Sequence, residues 1–329
     1  MRAPVKPFNL LNTLNEEAEH WPNGYGALVH NGRKQLFHLG QRLGHHYRNL
    51  LEPRNVNVTR DFQVVTTPVH RCYESAQHLL AGFFSLSSDW TWMEAVEKQP
   101  IPILYQSPDK ASIIGNKKAC PKYNKLLETN LPDPDSPEIE YFRHFVMNHT
   151  SHLNMTTLND VFMFADYIKI LEFMNLEHPK WLTADFKEKL YAFFDESFHF
   201  LSRSTEMIRL LSGPLIEDIT VRFKEAIYAE PTNSKMFLYS GHDVSVHGLS
   251  KLLGFHLDFA PYFGSSLIFE VHKLSSTDHR IRILFSKDYS FDNVEVWRLP
   301  ECEEFCPVGK FLQIVEKFFA KNWTSECLV

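Results

Sequence analysis

Apolar positions recur along this chain with two different periods, and the order in which those periods follow one another predicts the architecture. From Arg33 to Leu51 the residues Leu36, Leu39, Leu43, Tyr47 and Leu50 recur near helical spacing behind the turn formers Asn31-Gly32, which predicts a helix. Phe62 to Thr67 is a short β-rich run stopped by Pro68, and from Tyr73 to Phe84 a second helix carries Ala76, Leu79, Leu80 and Phe83 on one side. Strand, turn and helix return in the same order at Met236 to Ser240, Gly241-His242-Asp243 and Val244 to Leu253. Two βα units are therefore expected, far apart in the chain.

Between them, from about Cys120 to Ile227, helical periods dominate, notably in Leu158 to Met174, Phe186 to Phe200 and Leu215 to Tyr228, while strand signals almost vanish. Beyond the second unit, Ser266 to His272 and Arg280 to Ser286 alternate around Ser275-Ser276-Thr277-Asp278 and read as an antiparallel pair. The expected fold class is α/β: a sheet core from residues 1–119 and 228–329, carrying an inserted all-α subdomain at residues 120–227.

Composition narrows the function classes. With 44% hydrophobic and 22% charged residues in 329, the chain can bury a sizeable core. Its 34 Lys and Arg against 40 Asp and Glu give a net charge of -6, so it lacks the basic excess that nucleic-acid binding requires. No apolar run approaches the roughly 20 residues of a membrane span. Met1-Arg2-Ala3-Pro4 offers neither the basic nor the apolar part of a signal peptide. Sequons at Asn57, Asn148, Asn154 and Asn322 nevertheless favour a secretory lumen. The cysteines number 5; Cys302 and Cys306 could close a small loop if the backbone curls, and buried reduced thiols are the other reading.

In open α/β sheets the ligand site lies beyond the carboxyl ends of the strands, which singles out His70-Arg71 after the first strand and His242-Asp243 after the second. An arginine there presents a planar fork of donors to phosphate or carboxylate oxygens, and the His-Asp pair adds a donor and a proton source. A metal site is not expected: 17 histidines are present, but no His-X3-His or Cys-X2-Cys pair stands at a ligand spacing. The Gly-X-Ser-X-Gly elbow of serine hydrolases and a glycine-rich phosphate loop are both missing.

Those residues resemble the histidine acid phosphatases, in the lysosomal and prostatic acid phosphatase branch. Trp21-Pro22-Asn23-Gly24-Tyr25-Gly26, then Leu28, Gly32, Gln35 and Leu39-Gly40, look like the segment after the family's N-terminal motif. Thr67, Arg71 and Ser75-Ala76-Gln77 fit the next block, and Tyr239-Ser240-Gly241-His242-Asp243 fits the His-Asp motif. The resemblance implies metal-free, cofactor-free, two-step hydrolysis of small-molecule phosphate monoesters. In it, a histidine of Arg-His-Gly-X-Arg-X-Pro attacks phosphorus, and arginines with a second histidine hold the oxygens. Arg2 and Pro4 match the second arginine and the proline of that motif, Arg71 the third phosphate-holding arginine, His242 the second histidine, and Asp243 the acid that protonates the leaving alcohol. Such an acid must keep its proton, hence an acidic optimum. The likeness also implies bridges Cys120 to Cys327 and Cys302 to Cys306 with Cys72 free, a lysosomal or secreted location, and commonly a homodimer.

Met1 stands directly before Arg2, so the Arg-His-Gly with the family's nucleophile does not occur here, and the nearest histidine downstream is His20. The apolar central strand that leads into that motif is missing too, which should leave neighbouring strands unpaired. Since loss of a covalent nucleophile costs on the order of 10⁶ in rate, the chain as written is expected to turn over esters barely or not at all. Two readings stay open, an N-terminally incomplete enzyme and a non-catalytic lumenal relative that binds phosphate or a partner. Pro68 and His70 also stand where the family has acidic residues.

Overall fold

Phe62–Thr66 forms β1, the middle strand of a parallel sheet in the computed structural model, which describes residues 1–8, 10, 19–50, 58–86, 101–106, 120–150, 153–228 and 234–329. β2 (Ile103–Tyr105) lies on one side of it and β3 (Met236–Ser240) on the other, with Val64 opposite both Ile103 and Leu238. A second sheet runs β4 (Ser266–Lys273), β5 (His279–Ser286), β6 (Val294–Trp297), all antiparallel, with the short β7 (Cys306–Pro307) also on β5. The expected βα units and the antiparallel pair are all present; β2, β6 and β7 are additions to that reading.

Nine helices of eight or more residues surround these sheets among the described residues: α1 (His30–His46), α2 (His70–Phe83), α3 (Pro121–Asn130), α4 (Pro137–His149), α5 (Leu158–Phe173), α6 (Ala184–Phe200), α7 (Thr205–Tyr228), α8 (Asp243–Leu252) and α9 (Val308–Val315). α1 stops at His46, ahead of the expected Leu51, which lies outside the described residues, and Tyr47 caps it by donating its N–H to the Leu43 carbonyl. α7 starts at Thr205, not Leu215, and continues through Pro214. Burial of Leu210, Leu211, Leu215 and Ile216 on both sides of the proline offsets the hydrogen bond it removes.

α3 to α7 follow one another without a strand, as the helical periods predicted. Phe142, Phe164, Tyr167 and Phe186 pack there with Met1, Ala3 and Phe8 from the chain's start, so one core joins the helices to the N-terminal segment. A second core places Leu215, Ile219 and Phe223 of α7 against Ile281, Ile283 and Phe285 of β5 and Phe311 of α9. Disulfides join Cys120 to Cys327 and Cys302 to Cys306, and Cys72 is free and buried, as the resemblance implied. Of the sequons, Asn148, Asn154 and Asn322 are exposed, and Asn57 lies outside the described residues.

β3 and β4 are strongly apolar in sequence, yet neither contains a buried residue. Among the described residues each has a strand on one side only, β1 for β3 and β5 for β4. Both border a single cavity of about 1690 Å³. The two sheets are thus separate where one continuous sheet would bury these side chains.

Candidate active site

The first turn of α2 carries Arg71 and the first turn of α8 carries Asp243, with His242 as its cap, and all three side chains line the large cavity. Neither helix start is capped by a side chain of its cap residue. Both helix starts border this cavity, and the partial positive charge of a helix N-terminus favours an anion. Parallel pairing of β1 with β3 brings these turns together, and short bonds fix them: Ser240 Oγ donates to the Cys72 carbonyl at 2.7 Å, and Cys72 Sγ lies 3.3 Å from the Gly241 carbonyl oxygen.

His242 Nε2 is 3.2 Å from Thr67 Oγ1, a bond that holds the ring upright at the cavity wall. Cys72 Sγ stands 4.0 Å from both ring nitrogens. Burial pushes the Cys72 thiol up, and Thr67 and Arg71 only partly oppose it, so the sulfur is a protonated thiol. Asp243 is exposed, and its Oδ1 accepts from the Val244 amide at 2.8 Å.

Arg71 donates to the Gly26 carbonyl at 3.5 Å and makes no ion pair with a carboxylate among the described residues. Burial, followed by the nearby Arg2, lowers its pKa, so the guanidinium is held in a setting that penalises its charge. An oxyanion between the two arginines would relieve that penalty. Arg2 is fixed differently. Its two terminal nitrogens each lie 3.0 Å from an Asp166 oxygen, a bidentate pair, while its guanidinium carbon sits 5.9 Å from the Phe263 ring centre. The backbone holds it in place too: Ala3 N donates to Ala27 O and Gly26 N to Pro4 O, each at 2.8 Å. Gly26 has φ +72°, which a side chain would strain, and this turn aims its carbonyl at Arg71.

The structure therefore brings Arg2, Arg71, His242 and Asp243 to one cavity. His20 is exposed and lies away from it. Asp166 was missed by the sequence reading; its signal is that it is the only acid between Asp160 and Glu172 in an otherwise apolar stretch of α5. Two guanidinia, an imidazole and two helix N-termini supply donors matched to a tetrahedral oxyanion, and the carboxyl of Asp243 stands at the rim.

Comparison with known proteins agrees with this chemistry. The lysosomal acid phosphatase of Xenopus laevis is 29% identical over 317 residues, covering 93% of this chain and 72% of that protein. The prostatic acid phosphatase of Bos taurus is 25% identical over 342 residues, covering 100% and 85%. Among solved structures, a phytase from Klebsiella sp ASR1 has the same fold, with a TM-score of 0.69 at 16% identity over 100% of this chain and 97% of that one. The profile of the histidine phosphatase superfamily (branch 2) matches residues 2–286, and the chain belongs to that family.

Proposed function

We propose that the cavity is the phosphate site of an acid phosphatase for small phosphate monoesters, working in a lysosomal or secreted setting. One observation carries the reading: Arg71, His242 and Asp243, supplied by two βα units far apart in sequence, line one cavity with Arg2. In this reading Arg71, Arg2 and the His242 ring hold the phosphoryl oxygens. A nucleophilic imidazole forms a P–N bond as the ester P–O bond breaks, and Asp243 gives its proton to the departing alcohol. Water then cleaves the P–N bond, releasing phosphate and freeing the imidazole, and its proton returns to Asp243. Two disulfides favour an oxidising compartment.

The attacking imidazole belongs, by family resemblance, to an Arg-His-Gly ahead of Arg2. A second reading is a lumenal protein that binds phosphate in this cavity without hydrolysing it. Apart from His242, its imidazoles among the described residues are His272 and His279. Phe263 lies beside Arg2, so β4 begins near the site, and His272 stands six residues along it, about 20 Å away.

Calorimetry with inorganic phosphate and a metal-free assay with a chromogenic phosphate ester at about pH 4–6 separate the readings. The chain as given and a version extended by a strand ending in Arg-His-Gly should both bind phosphate, and the extended version should turn over ester. Binding without turnover in both versions supports the second reading; no binding in either refutes the site.

A further inference from the structure

We infer that Thr67 is a positioning residue that fixes the proton of His242: its hydroxyl donates to Nε2, which keeps the imidazole N–H on Nδ1, the nitrogen that meets a phosphoryl oxygen. The inference deepens the acid-phosphatase reading and rests on it for the identity of the anion. The contact that carries it joins the two βα units, with Thr67 Oγ1 3.2 Å from His242 Nε2 across 175 positions of chain.

Both partners are mounted to hold that contact. Thr67 directly follows β1 and precedes Pro68, and a residue before proline is held to the extended region. Its branched side chain is stiff at χ1. The Thr67 N–H donates to the Ser240 carbonyl at 3.4 Å, its own carbonyl accepts from Thr66 Oγ1 at 3.2 Å, and the residue is 3% exposed. His242 occupies the cap position of α8 with extended backbone angles, φ -130° and ψ 161°, yet its side chain does not cap the helix. Serine, threonine, asparagine or aspartate there would stabilise α8. The histidine forgoes that gain, and its ring reaches to the other βα unit instead.

Cys72 braces the ring without competing for it. Its Sγ is 4.0 Å from each ring nitrogen, and an atom equidistant from both lies along neither lone pair. The thiol donates to the Gly241 carbonyl at 3.3 Å. A neutral imidazole carries one N–H and one lone pair, and the bond made at one nitrogen decides which form is present. With the N–H on Nε2, Nδ1 would turn a lone pair toward an oxyanion and repel it. With Thr67 donating to Nε2, Nδ1 is the donor, in keeping with the guanidinium of Arg71 in the same cavity. A hydroxyl also rotates: once the ring takes a second proton, Nε2 donates and Oγ1 accepts. One threonine thus serves both ring states, and a methyl in its place serves neither.

The test labels the histidines of the full chain with a nitrogen isotope and reads the ring nitrogens by NMR at about pH 8, where an ordinary imidazole is neutral. The His242→Gln variant identifies the His242 signals by their loss. The proton is expected on Nδ1. Thr67→Val, which keeps the shape and removes the hydroxyl, should release the ring to a mixture of tautomers and weaken calorimetric binding of inorganic phosphate about tenfold. Thr67→Ser should restore both, with melting curves reporting that each variant folds. A proton on Nε2 in the parent, an unchanged tautomer in Thr67→Val, or phosphate affinity indifferent to that change overturns the inference. So does a serine variant no better than the valine one, because the methyl group then carries the role. Should Thr67→Val not fold, the tautomers of the parent and of Thr67→Ser decide alone. No phosphate binding in the parent, with the tautomer following Thr67 as described, would count against the phosphatase reading and leave the hold of Thr67 on the ring standing.

Discussion

Arg71 combines a cost to folding with a gain to binding. Its guanidinium is desolvated and faces Arg2, with one weak bond to the Gly26 carbonyl. Replacing it with methionine, which keeps most of the apolar stem, should leave the melting temperature unchanged or higher. The same change should weaken phosphate binding about 100-fold, near 3 kcal/mol, as removal of charged hydrogen bonds does. Parallel melting and calorimetry of Arg71→Met check both halves, and undiminished phosphate binding would remove Arg71 from the site. Arg71, His242 and Asp243 were legible in the sequence because each stands just past a strand, where ligand sites form. The Arg2 to Asp166 pair was not. It joins residues 164 positions apart, and only the packing of α5 against the N-terminal segment brings them together.

At the scale of elements, the approach of α1 to α2 sets where Arg71 stands. A Cβ on Gly40 would lie 1.9 Å from the Leu79 carbonyl oxygen, and one on Gly82 would lie 1.9 Å from that of Phe37. The helices therefore touch backbone to backbone at two reciprocal points. Gly82→Ala should destabilise the fold by about 1 to 3 kcal/mol, the usual cost of overpacking, despite alanine's better helix propensity. Urea denaturation would register the loss, and a neutral or stabilising effect would mean that the helices can part at no cost. Elements with a strong period or a β-rich run, such as β1, β3 and α6, could be read from the chain. β2 could not: it has three residues, two of them exposed, and exists because β1 offers it an edge. α7 was read short because Pro214 signals a break that burial on both sides overrides.

Across the whole molecule, acidity is the condition the fold must survive if it works as an acid phosphatase. His247 is fully buried in α8; its Nε2 lies 3.0 Å from Ser202 Oγ and its Nδ1 has no partner. Burial first, then the nearby His199, Lys251 and His256, lowers its pKa to about 3. Unfolded, the same imidazole titrates at about 6.5. Between those values the unfolded chain binds the extra proton, so stability falls as pH drops: fully present above about 6.5, it is reduced by about 2 kcal/mol at pH 5. The Cys120 to Cys327 bridge is insensitive to this change. Closing 207 positions of chain, it contributes about 5 kcal/mol by restricting the unfolded state. In His247→Gln the amide keeps a partner in Ser202 and carries no titrating group. Its unfolding free energy should therefore vary about 2 kcal/mol less between pH 6.5 and 5 than that of the parent. Denaturant titrations at the two pH values test this, and identical slopes for both proteins would mean that His247 is protonated in the folded state.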